Sequence, residues 1–296
     1  MKTKIPDELK ADVPQTKWGK ILIATPIIMT VIATMLAGLS SSEMTKAQYS
    51  RSMAAQLQSK AGDQWSFFQF KKQRGVIQRS TLDIIKASTE VHDLDMDAME
   101  KTSGLTRAPL AEMDKALAAA AQPVTIDPNI KAAMDAVGNS KPESEVTEAV
   151  KKLDDKSLAD ALQAAKDRAE DFDNGLQKIT PGIDKIEKTL SGQDKAMARD
   201  FSAVRLNYYA LRYDMEARLN QSVAGIYELQ VRRSDMDAER HHQRSQRFFY
   251  GMLAAQMGVI LSTFALAAQK RSWLWLVAAG AGLIAISFAV YVYLCV

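Results

Sequence analysis

Three long apolar segments dominate the pattern of hydrophobic and polar positions along the chain. One, residues 21–39, lies near the amino terminus, and two, residues 248–268 and 272–296, lie at the other end. The last two are uncharged and are joined by Gln269-Lys270-Arg271. At about 1.5 Å of rise per residue, a helix of this length crosses a hydrocarbon layer roughly 30 Å thick. The pattern therefore predicts three transmembrane helices, the last two forming an antiparallel hairpin.

A polar tail, residues 1–20, carries five lysines and precedes the first apolar segment. A secretory signal peptide has the same basic-then-apolar order, but residues 21–39 are long for its apolar region. We interpret this segment as an uncleaved membrane anchor. Pro26 lies one turn into it, where a membrane helix tolerates proline.

Two long stretches without proline, residues 40–94 and 196–247, flank the middle of the chain. Both carry apolar residues at roughly helical spacing. In the second stretch, five residues step by 3, 4, 3 and 4 positions before a stutter at Leu219: Phe201, Val204, Tyr208, Leu211 and Met215. Each stretch is attached to a predicted membrane helix at one end. We expect them to pair antiparallel as a coiled-coil-like stalk.

The middle of the chain, residues 95–195, has a different character. Five prolines divide it into short pieces: Pro109, Pro123, Pro128, Pro142 and Pro181. The pieces predict helices over residues 110–121, 130–137, 143–172 and 183–190, which we expect to form a small helical head at the tip of the stalk. No extended alternation typical of strands occurs, so the expected fold class is all-α.

Two motifs carry a resemblance to a known family. The first is Asp63-Gln64-Trp65-Ser66-Phe67-Phe68-Gln69-Phe70-Lys71. The second is His242, Arg244, Phe248 and Tyr250, followed by Lys270-Arg271 and Trp273-Leu274-Trp275. Together the matching regions, residues 18–80 and 235–290, resemble the bacterial domain-of-unknown-function family 4337. The resemblance implies a bacterial membrane protein with helical hairpins, and it implies no activity. The long segment 95–195 departs from the family pattern.

Four aromatic residues within the first motif, Trp65, Phe67, Phe68 and Phe70, point around nearly the full circumference of a helix. One partner helix cannot cover all of them. They either pack against the stalk and head, form an interface between copies of the chain, where aromatics are enriched, or line a ligand pocket. With three residues of the second stretch, they make up the candidate interface: Tyr208, Leu211 and Met215.

Small residues line one face of each carboxy-terminal apolar segment and predict close helix packing within the membrane. They are Gly251, Ala255, Gly258 and Ser262 in one segment and Ala278 and Gly282 in the other. Gln256, near the middle of its segment, is expected to hydrogen-bond to a neighbouring helix. Transport is an alternative role, but no ionisable residue lies inside any of the three segments, and coupled transport usually needs one.

Composition narrows the function classes. The chain has 38 basic and 35 acidic residues, a balance that argues against a nucleic-acid-binding domain. Cys295 is the only cysteine, so an intrachain disulfide and a cysteine-based metal site are excluded. We interpret Cys295 as a small apolar residue at a membrane boundary, with acylation or an intermolecular disulfide as the alternatives.

The residues suited to catalysis or metal binding form no familiar arrangement. Asp93, Asp95 and Asp97 alternate as in a calcium loop, but Ala98 and Gly104 stand where that loop needs glycine and glutamate. His241 and His242 are adjacent and would point about 100° apart on a helix. With nearby arginines, they are expected to form a basic collar at lipid headgroups. We therefore expect no catalytic residues, no metal, no cofactor and no enzymatic activity.

The sequence thus predicts a structural protein whose partners are the lipid bilayer, further copies of itself and an unidentified protein complex. A sensor subunit that reports occupancy of the head through the stalk is the alternative. The resemblance indicates the bacterial inner membrane. Positive charges near the apolar segments are balanced, seven on each side. Because the first membrane helix usually dominates, we place the tail inside and the stalk and head on the periplasmic side.

Overall fold

A computed structural model of the chain describes residues 17–122, 126–267 and 273–295. Helices make up 92% of the structure, and no strand occurs in these ranges, which confirms the all-α class. The described residues form eight helices: α1 (Lys17–Ser88), α2 (Met96–Ser103), α3 (Ala108–Ala121), α4 (Pro128–Gly138), α5 (Glu143–Lys151), α6 (Asp155–Gln193), α7 (Lys195–Ala267) and α8 (Trp273–Cys295).

The chain divides into two compact units. Unit 1 contains the residues up to 53 and those from 234 onward, and unit 2 contains residues 54–233. Most of the polar tail and the predicted hairpin loop, residues 269–271, lie outside the described residues.

Unit 1 is built from the first part of α1, the last part of α7 and α8. Each of these three helices is long and apolar enough to cross a membrane, as predicted. Gly251 faces the Ala285 carbonyl and Gly258 faces the Ala278 carbonyl, so α7 and α8 run antiparallel. Pro26 lies inside α1 without ending it.

In unit 2, the second part of α1 and the first part of α7 also run antiparallel. Ala61 packs against Val223, and further along α1, Leu82 packs against Leu206. Gly75 lies between these two contacts and faces Ala210. Residues later in α1 therefore contact residues earlier in α7, as in an antiparallel pair.

The structure of residues 95–195 differs from the expected small head. Helix α6 is 39 residues long, and it packs along α7 within unit 2. Arg212 of α7 donates to Thr180 of α6 at 3.2 Å, and Arg233 donates to Asp155 at 3.3 Å. Buried residues of α6 form a seam in which the spacing alternates between four and three positions: Phe172, Leu176, Ile179, Ile183, Ile186 and Leu190. The segment therefore adds a third long helix beside the α1–α7 pair.

Pro181 was expected to end a helix but lies inside α6. Proline lacks the N–H that would bond to residue 177, and its ring crowds that carbonyl. Pro181 is exposed, so water can solvate the free carbonyl, while Ile179 and Ile183 stay buried on the packed side. Gly182 then allows Pro109 of α3 to approach closely, since a Cβ there would lie 2.7 Å from the proline Cγ.

The predicted helix over residues 143–172 is divided in the structure. Helix α5 ends at Lys151, and α6 begins after Asp154, whose carboxylate accepts a hydrogen bond from the Ser157 amide at 3.1 Å. Aspartate at this position satisfies an amide that the first turn of a helix leaves unpaired. Leu153, between the two helices, is buried and anchors the turn.

Candidate interaction surfaces

The small residues of the two carboxy-terminal helices pack inside unit 1. All six are buried: Gly251, Ala255, Gly258, Ser262, Ala278 and Gly282. A Cβ at Gly251 would lie 3.3 Å from Leu36 of α1 and 3.4 Å from Phe288 of α8. A Cβ at Gly282 would overlap the side chain of Met29. These residues therefore let α1, α7 and α8 approach one another, and the same faces are not open to a second copy.

Gln256 does not point into this packed interior. Its side chain is exposed and borders a depression between α1 and α7, and the hydrogen bonds of the described residues include none from it to a neighbouring helix. The expected hydrogen bond to a neighbouring helix is therefore not formed among the described residues.

A polar cluster joins α1 and α7 just beyond their apolar segments in unit 1. Ser40 and Ser245 bond reciprocally, each hydroxyl donating to the other residue's carbonyl, at 3.0 and 2.8 Å. One turn further along, Glu43 Oε2 lies 2.6 Å from His241 Nδ1, and Lys46 donates to Glu43 Oε1 at 2.8 Å. His241 is therefore paired with a carboxylate, which the expectation of a headgroup collar did not anticipate.

The environment of Glu43 holds its pKa below the usual 4.5. Burial raises the pKa, but the hydrogen bonds from Lys46 and His241 lower it further than burial raises it. Sequence reasoning missed this cluster because its two halves are about 200 positions apart. The register of the antiparallel pair is the signal that would have found it, since Ser40 opposite Ser245 places Glu43 opposite His241.

The aromatic motif in unit 2 divides into two pairs. Trp65 and Phe68 are half-buried, and their rings meet edge to face with centroids 5.5 Å apart. Phe67 and Phe70 are 51% and 62% exposed. Phe67 borders a depression of about 300 Å³ near Phe172. The motif thus contributes one pair to packing and leaves the other on the surface.

The candidate interface residues of α7 are similarly divided. Tyr208 donates to Asp114 of α3 at 3.0 Å, and burial together with this bond raises the pKa of its hydroxyl to about 12. Met215 packs against the core cluster of unit 2. Leu211 is 43% exposed and is therefore the one member of this group that remains on the surface.

A buried ionic cluster links α1 and α7 in unit 2. Glu216 is only 4% exposed and lies 2.5 Å from Lys71 Nζ and 2.6 Å from Arg212 Nε. Close by, Arg79 of α1 pairs with Asp214 of α7. These charged residues face other helices. The spacing of apolar and polar residues along the sequence does not reveal this.

Two of the three acidic residues that resemble a calcium loop, Asp95 and Asp97, have structural roles. Asp95 caps α2 by accepting hydrogen bonds from the amides of Asp97 and Ala98, both at 3.0 Å. Asp97 pairs with Arg107. In the part of the chain that the structure describes, no group of three histidine, cysteine or acidic side chains is placed to hold a metal ion. The side chain of Cys295 lies outside the described residues.

Comparison of the chain with protein-family models, with curated proteins and with solved structures yields no match. The resemblance to family 4337 therefore remains a prediction from the two motifs.

Replacing Glu216 with alanine should lower the free energy of unfolding by about 3 kcal/mol, because Lys71 and Arg212 would lose the carboxylate that compensates their burial. Glu228→Ala removes a more exposed carboxylate 3.8 Å from Arg232 and should cost less than about 1 kcal/mol. Thermal unfolding of the detergent-solubilised chain measures both. Equal losses would show that the buried cluster contributes no special stability.

The lowered pKa of Glu43 predicts a specific acid sensitivity. A carboxylate with a lowered folded pKa stabilises the fold above its unfolded value, here 4.5, and the contribution is lost as the pH falls through the folded pKa. Between about pH 6 and about pH 3, the unfolding temperature of the wild type should fall more than that of Glu43→Gln. Glu148→Gln, at an exposed site, should behave as wild type. Equal falls in wild type and Glu43→Gln would contradict this role.

Proposed function

We propose that this chain is a membrane-anchored, non-enzymatic scaffold that assembles with copies of itself. Unit 1 supplies the anchor, with its three apolar helices embedded in the bilayer. The support for embedding is the outer surface of unit 1, where large apolar side chains are turned outward, among them Met35, Phe264 and Leu283 at 64%, 61% and 68% exposure. In water such a surface would drive association, whereas in a bilayer it is solvated by lipid tails.

Unit 2 supplies the scaffold part in this proposal. Its α1–α7 pair, thickened by α6, acts as a coiled-coil-like stalk that carries copies of the chain or an unidentified partner protein. The resemblance to family 4337 is consistent with a membrane anchor of this kind.

One observation carries the proposal of self-association. Phe70, Ile77 and Ile84 follow one another at seven-residue intervals on α1 and are 62%, 59% and 65% exposed. Residues seven apart lie on nearly the same face of a helix, so these three side chains form one exposed apolar stripe. Helix α1 thus packs one side against α7 and keeps a second apolar stripe on its surface. A second copy of the chain would cover that stripe.

A sensor subunit is the alternative function, and a cavity in unit 2 favours it. The cavity has a volume of about 370 Å³ and lies among α4, α6 and α7, where Ile130, Ala161 and Ile226 form part of its lining. A sensor would bind a small amphipathic ligand there and change its assembly in response. A scaffold would assemble without ligand, so ligand dependence of assembly distinguishes the two.

We place the protein in the bacterial inner membrane, with the exposed surface of unit 2 on the periplasmic side. Lys141→Cys, made at an exposed position together with Cys295→Ser, should react with an impermeant maleimide in intact spheroplasts. Labelling that appears only after lysis would reverse the orientation.

Adding a charge to the exposed stripe should disrupt assembly. Phe70→Glu should shift the detergent-solubilised chain to a smaller species while its helix content stays unchanged, because a carboxylate at a dry helix interface is costly to bury. Gln69→Glu introduces the same charge at the neighbouring exposed position and should leave the assembly intact. Size-exclusion chromatography with light scattering measures the mass. An unchanged mass for Phe70→Glu would show that the stripe is not the interface.

A further inference from the structure

A groove runs along the outer surface of unit 1 between α1 and α7. It has a volume of about 490 Å³, and its lining combines small, hydroxyl-bearing and amide-bearing residues: Thr30, Ala33, Thr34, Ala37, Gln256, Val259 and Ile260. The groove lies in the middle of both apolar segments, since Thr30 is the tenth of residues 21–39 and Gln256 the ninth of residues 248–268.

Gln256 makes this groove unlike the rest of the apolar surface. It is the only asparagine or glutamine in the three apolar segments. Its amide is exposed and has no hydrogen-bond partner among the described residues. The nearby hydroxyls of Thr30 and Thr34 already donate to the carbonyls of Pro26 and Thr30, at 2.8 and 2.9 Å, but their oxygens can still accept.

The proposed function embeds unit 1 in a bilayer, and on that premise an amide in this position needs a polar partner. Lipid tails offer no hydrogen bonds, so an unpaired amide facing them is costly. Amide side chains in membrane helices commonly meet this need by bonding across a helix–helix interface. The other packing faces of α7 are occupied by α1 and α8 within unit 1.

A second copy of the chain is the occupant that fits best. Copies inserted in the same direction are related by an axis along the membrane normal, so each residue meets its equivalent at the same depth. A carboxamide carries both donors and acceptors and is therefore complementary to itself. A different protein would need a polar group at this same depth, whereas a second copy supplies one by symmetry.

We propose that the α1–α7 groove of unit 1 is a homodimer interface inside the membrane, in which Gln256 of each copy hydrogen-bonds to Gln256 of the other. The small side chains of Ala33 and Ala37 let the helices approach closely enough for the amides to meet. Thr30 and Thr34 offer further acceptors at the same level. This interface is separate from the exposed stripe of α1 in unit 2.

Disulfide cross-linking in native membranes tests the proposal on the full chain. With Cys295→Ser as background, Gln256→Cys should give a dimer on mild oxidation, because disulfides form only when the two Cα atoms lie within about 7 Å. Leu283→Cys is the matched control, because Leu283 lies on α8 outside the groove and is 68% exposed. Leu283 is near the depth of Gln256, since Gly251 and Gly258 of α7 face Ala285 and Ala278 of α8. The dimer yield at position 256 should exceed that at 283 by about tenfold.

A bulky side chain in the groove provides the second measurement. Thr34→Trp should abolish the cross-link at position 256, whereas Met35→Trp, on the same helix but outside the groove, should leave it unchanged. If the chain purifies as an oligomer but position 256 cross-links no better than 283, the groove interface is wrong and the proposed self-association stands. If the chain is monomeric and does not cross-link, both are wrong. A cross-link from position 256 to a different protein would also overturn the homodimer.

Discussion

Burial of α7 from more than one side is the constraint around which the other helices are arranged. In unit 2, five closely spaced residues are at most 5% exposed: Val223, Ala224, Ile226, Tyr227 and Leu229. Residues this close in sequence point around most of a helix, so a single partner cannot cover them. Val223 and Tyr227 accordingly share a cluster with Ala61 of α1 and with Leu162 and Ala165 of α6. In unit 1, the glycines of α7 lie against both α1 and α8.

Much of this fold can be predicted from local sequence. The three apolar segments are long enough to identify membrane-length helices, and the absence of strand-like alternation gives the all-α class. The small residues from Gly251 to Ser262 recur at helical spacing, so the buried face of α7 in unit 1 is visible without coordinates. Each of these features depends on residues that lie within a few turns of one another.

The remaining features depend on which distant residues meet. The seam of α6 from Phe172 to Leu190 is visible as a spacing of 4 and 3, but Pro181 suggests a break, and only the packing shows that the proline lies on the exposed side. Glu216 and Glu43 look like surface charges until the pairing of α1 with α7 brings Lys71 to Glu216 and His241 to Glu43. The sequence predicts a hydrogen bond from Gln256 to a neighbouring helix, but Gln256 is exposed because the glycines of α7, Gly251 and Gly258, occupy the faces toward α1 and α8.

The central claim is that the chain assembles with itself through surfaces that one copy leaves uncovered, the stripe of α1 in unit 2 and the groove of unit 1. Native mass spectrometry of the full chain released from nanodiscs tests this most directly, because it counts copies without labels or substitutions. The proposal predicts one discrete homo-oligomer of at least two copies, without added ligand. A monomer across nanodiscs of different lipid composition would contradict it, and another molecule would then have to cover these surfaces.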